Sequence, residues 1–310
     1  MDNTVQILKS GDLVEVLQPE EILKTLDSNG QLDGLPFMPE MIPYCGKKFK
    51  VRLKVEKTCV NCIFPDNKLK TTIKEFLYND VVFLEDLRCT GIDHGHCQRG
   101  CMIFWRQAWL KKANDIIGDT SINPEGSLKL REKLKTKESE NKYFCQSTEL
   151  HNATQYISSS KRFFKMFKEF TSGGLNILQA IKAIFLPSWR KFNKIPQPKG
   201  SLRETPVEYL YLEAGELVEV RPFKEILHTL NKQGKNKGLK FTLDMKQYCG
   251  KQFKVRNKLE KMIREETGEM LEIKNTVILE EATCTYPYLF AGCPRAEFHY
   301  WREIWLRRVN

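Results

Sequence analysis

Gly11-Asp12-Leu13-Val14-Glu15-Val16 returns as Gly215-Glu216-Leu217-Val218-Glu219-Val220, and the match runs without a gap from residues 11–52 onto residues 215–256. Glu21-Ile22-Leu23-Lys24-Thr25-Leu26 returns as Glu225-Ile226-Leu227-His228-Thr229-Leu230, and Tyr44-Cys45-Gly46-Lys47 as Tyr248-Cys249-Gly250-Lys251. Phe49-Lys50-Val51-Arg52 returns as Phe253-Lys254-Val255-Arg256. Farther on, Leu84, Glu85 and Cys89 match Leu279, Glu280 and Cys284, and Phe104-Trp105-Arg106, Trp109 and Leu110 match Tyr300-Trp301-Arg302, Trp305 and Leu306. Self-similarity of this length is one domain copied once, not a solenoid of short repeats.

Each copy reads mostly as strands. Leu13 to Val16, Phe49 to Leu53, Val81 to Leu87 and Met102 to Leu110 are short apolar or alternating runs. Pro19 opens a short helix from Glu20 to Leu26, which Asn29-Gly30 closes. Leu35-Pro36-Phe37-Met38-Pro39-Glu40-Met41 holds too much proline for a central strand and reads as an ordered loop. A glycine and an acidic residue before the first strand, then Gly46 before Phe49-Lys50-Val51, is the pattern of a small barrel of the Src-homology-3 type, with about five short strands. The expected fold is mainly β with an α insert. Two tandem barrels, residues 1–112 and 206–310, flank a helical, basic middle over residues 113–205.

Within that middle, residues 113–143 carry few large apolar side chains and read as a flexible or loosely helical connector, which Tyr143 to Leu150 interrupts with buried character. Residues 159–195 read as two amphipathic helices, one with Phe163, Phe164, Met166, Phe167 and Phe170, the other with Ile177, Leu178, Ile181, Ile184 and Phe185. The net charge of +11 concentrates here, since ten basic residues between His151 and Thr205 meet only Glu169 and Glu204. Lys161, Arg162, Lys165, Lys168, Arg190, Lys191 and Lys194 are the candidate contacts for an anionic membrane surface or nucleic acid, against the plainer reading of a solvated helix face.

No run of about eighteen apolar residues occurs. Met1-Asp2-Asn3-Thr4-Val5-Gln6 lacks a basic, apolar leader, which points to the cytoplasm, peripheral to a membrane at most. In a reducing compartment the ten cysteines of the 310-residue chain read as metal ligands or small buried apolar groups. Cys89, Cys97 and Cys101 cluster with His94, His96 and two glycines. With Cys59 as fourth ligand they would suit zinc, or an iron–sulfur cluster or iron as the alternative. Cys62, His94 and His96 are rivals for a ligand position. In the second copy Cys101 falls on Glu297 and Cys59 on Ile263, so that site is either lost or rebuilt from Cys284, Cys293, Glu297 and His299. Cys45 and Cys249 read as buried turn residues. Cys145, near Glu149 and His151, is a candidate reactive thiol without a supporting signature. Trp105, Trp109, Trp301 and Trp305 read as core, with a ligand-stacking platform as the minor alternative.

The strings Gly34-Leu35-Pro36-Phe37-Met38-Pro39-Glu40-Met41, Tyr44-Cys45-Gly46 and Cys89 to Trp109 make the chain resemble a family of uncharacterised bacterial proteins. The resemblance implies a bacterial source and a place beside specialised-metabolite or peptide-modifying enzymes, and it brings no established activity. No phosphate loop, dinucleotide fingerprint or Ser/His/Asp order is present. The expected role is a metal-stabilised binding, scaffold or accessory protein with a protein or peptide partner. The alternatives are a metalloenzyme with a redox or Lewis-acid metal in the first copy or Cys145 as nucleophile, and a polyanion or membrane-surface binder.

Overall fold

A computed structural model describes residues 8–63, 69–114, 120–158, 161, 197–284 and 294–309. The described chain is mainly β. In the first repeat, strands β1 (Leu13–Val16), β4 (Lys48–Lys54), β7 (Val81–Arg88), β8 (Met102–Arg106) and β9 (Leu110–Lys112) form one antiparallel sheet in the order β8-β7-β4-β1-β9. A small hairpin, β2 (Gln31–Leu32) with β3 (Leu35–Pro36), lies between β1 and β4. A longer hairpin, β5 (Thr58–Ile63) with β6 (Leu69–Phe76), lies between β4 and β7. Register shifts in β4 and β7, the latter around left-handed Asp86, mark bulges that let such a sheet curl.

The connector supplies α2 (Pro124–Lys133), a hairpin of β10 (Lys137–Ser139) and β11 (Lys142–Tyr143), then α3 (Gln146–Ala153) and β12 (Thr154–Tyr156). The second repeat rebuilds the first. Strands β13 (Leu217–Val220), β16 (Gln252–Lys258), β19 (Thr276–Thr283), β20 (Phe298–Arg302) and β21 (Leu306–Arg308) pair in the order β20-β19-β16-β13-β21. Its hairpins are β14 (Lys235–Asn236) with β15 (Leu239–Lys240), and β17 (Lys261–Ile263) with β18 (Met270–Glu272). Left-handed Glu281 repeats Asp86 at the matching bulge.

The tryptophans are core. Phe37 meets Trp105 and Trp109 edge-on at 6.3 and 5.2 Å, and Phe241 meets Trp301 and Trp305 at 6.3 and 5.3 Å. All four indoles are fully buried, so a stacking platform for an outside ligand is not available there. Trp109 Nε1 donates to Thr25 Oγ1 at 3.1 Å and Trp305 Nε1 to Thr229 Oγ1 at 2.9 Å. The duplication therefore extends to side-chain contacts.

The helix after Pro19 is shorter than expected, α1 (Pro19–Leu23), with the Glu21 carboxylate accepting from Gln18 N–H at 2.9 Å. The proline-rich loop is β3 followed by a 3-10 turn over Pro39–Tyr44. Residues 120–142 differ most from expectation, being ordered and packed on the first repeat, whereas Phe144, Cys145 and Leu150 are buried as their stretch led one to expect. Asn123 caps α2 through Glu125 N–H at 3.1 Å, and Leu130, Leu150 and Ala153 sit fully buried in the first repeat's core. Composition hid this because only one face of each short helix is apolar. The amphipathic helices expected over residues 159–195 lie outside the described residues. Among the described residues, no helix is long and apolar enough to cross a membrane.

Candidate functional site

The candidate site lies where the Cys89–Cys101 loop of the first repeat meets the β17–β18 hairpin of the second. Gln98 N–H donates to Lys261 O at 2.9 Å, and its side-chain oxygen accepts from Glu260 and Lys261 N–H at 2.6 and 3.0 Å. Ile263 N–H points at Cys97 Sγ, 3.3 Å away. Cys89 N–H donates to Cys101 O at 2.8 Å, closing the loop on itself. Residues Gly91, Gly95, His96 and Gly100 bend it through left-handed conformations.

A cavity of about 30 Å³ opens here, on the scale of two water molecules. Its wall includes Cys89, Cys97, Cys101 and Cys145, with Met38 and Ile263. Three of the four expected ligands thus share one cavity. Cys59 does not join them; it packs in a separate cluster with Ile73 and Cys284, and Cys145 at the start of α3 takes the fourth place on the wall. That substitution was invisible in sequence, since nothing in the spacing brings residue 145 back to residues 89–101. Burial pushes the Cys89 thiol well above its usual value and raises Cys97, with Cys101 adding to both. Burial pushes Cys145 up to about 12. Cys89, Cys97 and Cys145 thus hold their protons at neutral pH. Among the described residues, no three His, Cys, Asp or Glu side chains converge as metal ligands do.

Of the rival ligands, His94 also lines the cavity, but both of its ring nitrogens are engaged. Buried His94 bonds Glu40 Oε1 through Nδ1 at 2.6 Å and Phe144 O through Nε2 at 3.0 Å. A carbonyl only accepts, so Nε2 carries a proton, and the other nitrogen shares one with Glu40. His96 is exposed. The side chain of Cys62 and the whole of Cys293 lie outside the described residues. The suggested second site does not assemble among the described residues: Glu297 holds Arg99 and Arg295, His299 Nε2 bonds Asp244 Oδ2 at 3.0 Å, and Cys284 packs on Cys59.

Beside the cavity lies a buried charge network that the sequence reading missed. Arg295 donates to Glu265 Oε2 at 2.9 Å, to Cys59 O at 2.9 Å and to Ser147 Oγ at 3.2 Å, and lies 2.6 Å from Glu297 Oε1. Arg99 donates to Glu297 Oε1 at 2.9 Å and to Ile263 O at 3.2 Å. Burial alone would raise the Glu297 carboxyl, but Arg295 and Arg99 outweigh it and hold it below the usual range. Glu265 Oε1 accepts from Asn61 N–H at 2.9 Å. Arg88 donates to Gly100 O and Ala296 O at 2.8 and 3.0 Å while stacking on Phe298. Arg99 and Arg295 carried a faint signal, being matched positions in the alignment of the two copies.

Around Cys145, α3 is anchored by Gln146. Its carboxamide accepts from Phe104 N–H at 2.8 Å and donates to Phe104 O at 2.8 Å and Pro36 O at 3.0 Å. His151 Nδ1 turns back to Thr148 O at 2.8 Å. Of the basic candidates, Lys161 is exposed, its ammonium 3.6 Å from Glu75. Arg162, Lys165, Lys168, Arg190, Lys191 and Lys194 lie outside the described residues. No family model, curated protein or solved structure matches this chain.

Proposed function

We propose that this chain is a tandem-barrel binding or scaffold protein, its two curled sheets being barrels of the Src-homology-3 type fused back to back. The strand order supports the barrel type: the last strand returns beside the first after a 3-10 turn, in both copies. One observation carries the functional reading. Side chains near the repeat junction are engaged in structure: His94 by Glu40 and Phe144, Glu265 and Glu297 by two arginines, Cys101 by Ser147 Oγ at 3.6 Å, and Cys89, Cys97 and Cys145 by burial. A nucleophilic cysteine needs a lowered pKa, and burial drives Cys145 the other way. Brief iodoacetamide labelling of the native protein at neutral pH, read by mass spectrometry, tests this. Cys145 should react only after denaturation; rapid native labelling would favour an enzyme.

A second reading is favoured by the cavity wall. Four soft sulfur donors, Cys89, Cys97, Cys101 and Cys145, face one space, and thiols of that kind select zinc or an iron–sulfur cluster. Their donor atoms do not converge as placed; four thiolates drawn round one ion would close its coordination, which is the arrangement of a structural tie. Anaerobic purification followed by metal analysis and absorption spectroscopy decides between the two. Stoichiometric metal that is lost in Cys145→Ser and kept in Cys59→Ser would support a metal centre with this membership. Metal-free protein of full stability would reduce the molecule to a metal-independent binder.

A further inference from the structure

The two repeats differ at one place where they should look alike. In the first, β6 carries β12 on its outer edge, Thr154, Gln155 and Tyr156 pairing with Phe76, Glu75 and Lys74. The preceding helix α3 fills the space between that edge and β3. Its Gln146 clamps the backbone of Phe104 from both sides, and its Leu150 and Ala153 are fully buried. In the second repeat, β18 stands in for β6, Tyr300 for Phe104 and Leu239 for Leu35. Among the described residues, β18 pairs only with β17, and a cleft of about 740 Å³ opens where α3 and β12 would be. Gly238, Leu239, Leu271, Glu272 and Tyr300 line it.

The glycines make the comparison concrete. A Cβ at Gly34 would fall 2.9 Å from the Asn152 carbonyl, so glycine there admits the end of α3. A Cβ at Gly238, its counterpart, would meet nothing within 4 Å. On the open side Leu271 is 40% exposed, apolar surface left where β12 covers the matching strand of the first repeat.

We propose that this cleft binds a peptide segment of a partner protein, about two turns of helix opening on a carboxamide side chain and running into a strand that adds to β18. The inference names a partner class for the binding role above and rests on it. The chemistry follows from the covered repeat. A carboxamide satisfies one residue's N–H and C=O together, an apolar side chain four positions on enters the core, and a small residue seven positions on passes the glycine. The following strand gains main-chain hydrogen bonds from a sheet edge, a recurrent mode of peptide recognition.

The probe is a fluorescein-labelled synthetic peptide of residues 145–157 bearing Cys145→Ser, titrated into the full chain and read by anisotropy. Saturable binding should weaken by about tenfold when the peptide carries Gln146→Ala, and by at least about tenfold when the protein carries Leu271→Asp or Val207→Asp. The protein change Leu128→Asp, at an exposed position of α2, should leave it unchanged. A benzoylphenylalanine at position 271 should cross-link the peptide on irradiation. No saturation by about 1 mM, or binding indifferent to both cleft variants, overturns the proposal. So do cross-links only to a second copy or to the chain's own residues that the peptide does not displace. The cysteine-labelling result is independent of this one, so the cleft can fail while the scaffold reading stands.

Discussion

Arg99 and Arg295 stand at matching positions of the two repeats, and each donates across the junction to a carbonyl at matching positions of the other, Ile263 at 3.2 Å and Cys59 at 2.9 Å. Residue i of one copy meets residue j of the other, and j meets i. That reciprocity is the signature of an isologous two-fold contact, here formed inside one chain. The two copies are thus joined as an internal dimer. The symmetry is broken where acids are needed: Glu265 and Glu297 occur only in the second copy, opposite Asn61 and Cys101. Two arginines facing each other at a two-fold would repel, and these acids neutralise them.

Removing one member of that network leaves a buried charge without its partner. Glu265→Ala and Arg295→Ala should each cost about 3–5 kcal/mol, measured by urea unfolding. Glu265→Met and Arg295→Met made together should cost clearly less than the sum of the same two methionine changes made singly, because no unpaired charge remains on that side chain pair. Additive losses would show that the contact contributes by size alone.

The tryptophan pairs predict an asymmetry repeated in each barrel. Trp109 and Trp305 donate to threonine hydroxyls, whereas Trp105 Nε1 and Trp301 Nε1 are buried without a hydrogen-bond partner. Trp109→Phe should therefore cost about 1 kcal/mol more than Trp105→Phe beyond the shared loss of ring volume. The same ordering should hold for Trp305→Phe against Trp301→Phe. Equal losses in thermal or urea unfolding would argue that packing alone sets the values.

The duplication was legible because each copy keeps the residues its own barrel needs, Val14 and Val218, Phe37 and Phe241, Trp109 and Trp305. Cys89, Cys97 and Cys101 were legible as a cluster because they are close in sequence. Cys145 was not, since its place on the cavity wall depends on α3 docking against β3, a long-range event set by Gln146 and Leu150. The β5–β6 hairpin was missed because Thr58 to Ile63 and Leu69 to Phe76 mix apolar with lysine and threonine at no clean period. Glu297 reads in sequence as a possible metal ligand and Arg99 carries no reading at all; only tertiary contact, 2.9 Å apart and mostly buried, reveals them as a joint. Residues 120–142 read as a linker because sparse apolar side chains are enough when a neighbouring barrel supplies the rest of the core.

Gln146 should be among the costliest single residues of the connector. Gln146→Ala removes three hydrogen bonds to buried main-chain groups of Phe104 and Pro36. At about 1 kcal/mol each, with the freed groups poorly hydrated, the loss should reach about 2–4 kcal/mol. Hydrogen exchange should show α3 and β12 opening together while β1, β4 and β7 stay protected. Uniform loss of protection across the first repeat would mean that α3 is not a separate cooperative layer.

Cys45 gives the molecule a dependence on alkaline pH. Burial pushes this thiol up to about 12, with Glu20 adding to the rise. In the unfolded chain it titrates near the ordinary thiol value, about 8.5–9. Between those values the folded state keeps a proton that the unfolded state releases, so stability falls as pH rises. The contribution is fully present below about pH 9 and lost on the way to about pH 12. At about pH 10.5 the loss should be on the order of 2 kcal/mol, from 1.36 kcal/mol per unit of pKa difference. Urea unfolding under reducing conditions at pH 8 and at about pH 10.5 should show wild type losing more stability than Cys45→Ala by that amount. Cys45→Ala itself is less stable at both values because it leaves a small cavity, so the difference between the two slopes is the informative quantity. Parallel slopes would mean that Cys45 exchanges its proton as freely in the folded chain as in the unfolded one, contrary to its complete burial under the first repeat's sheet.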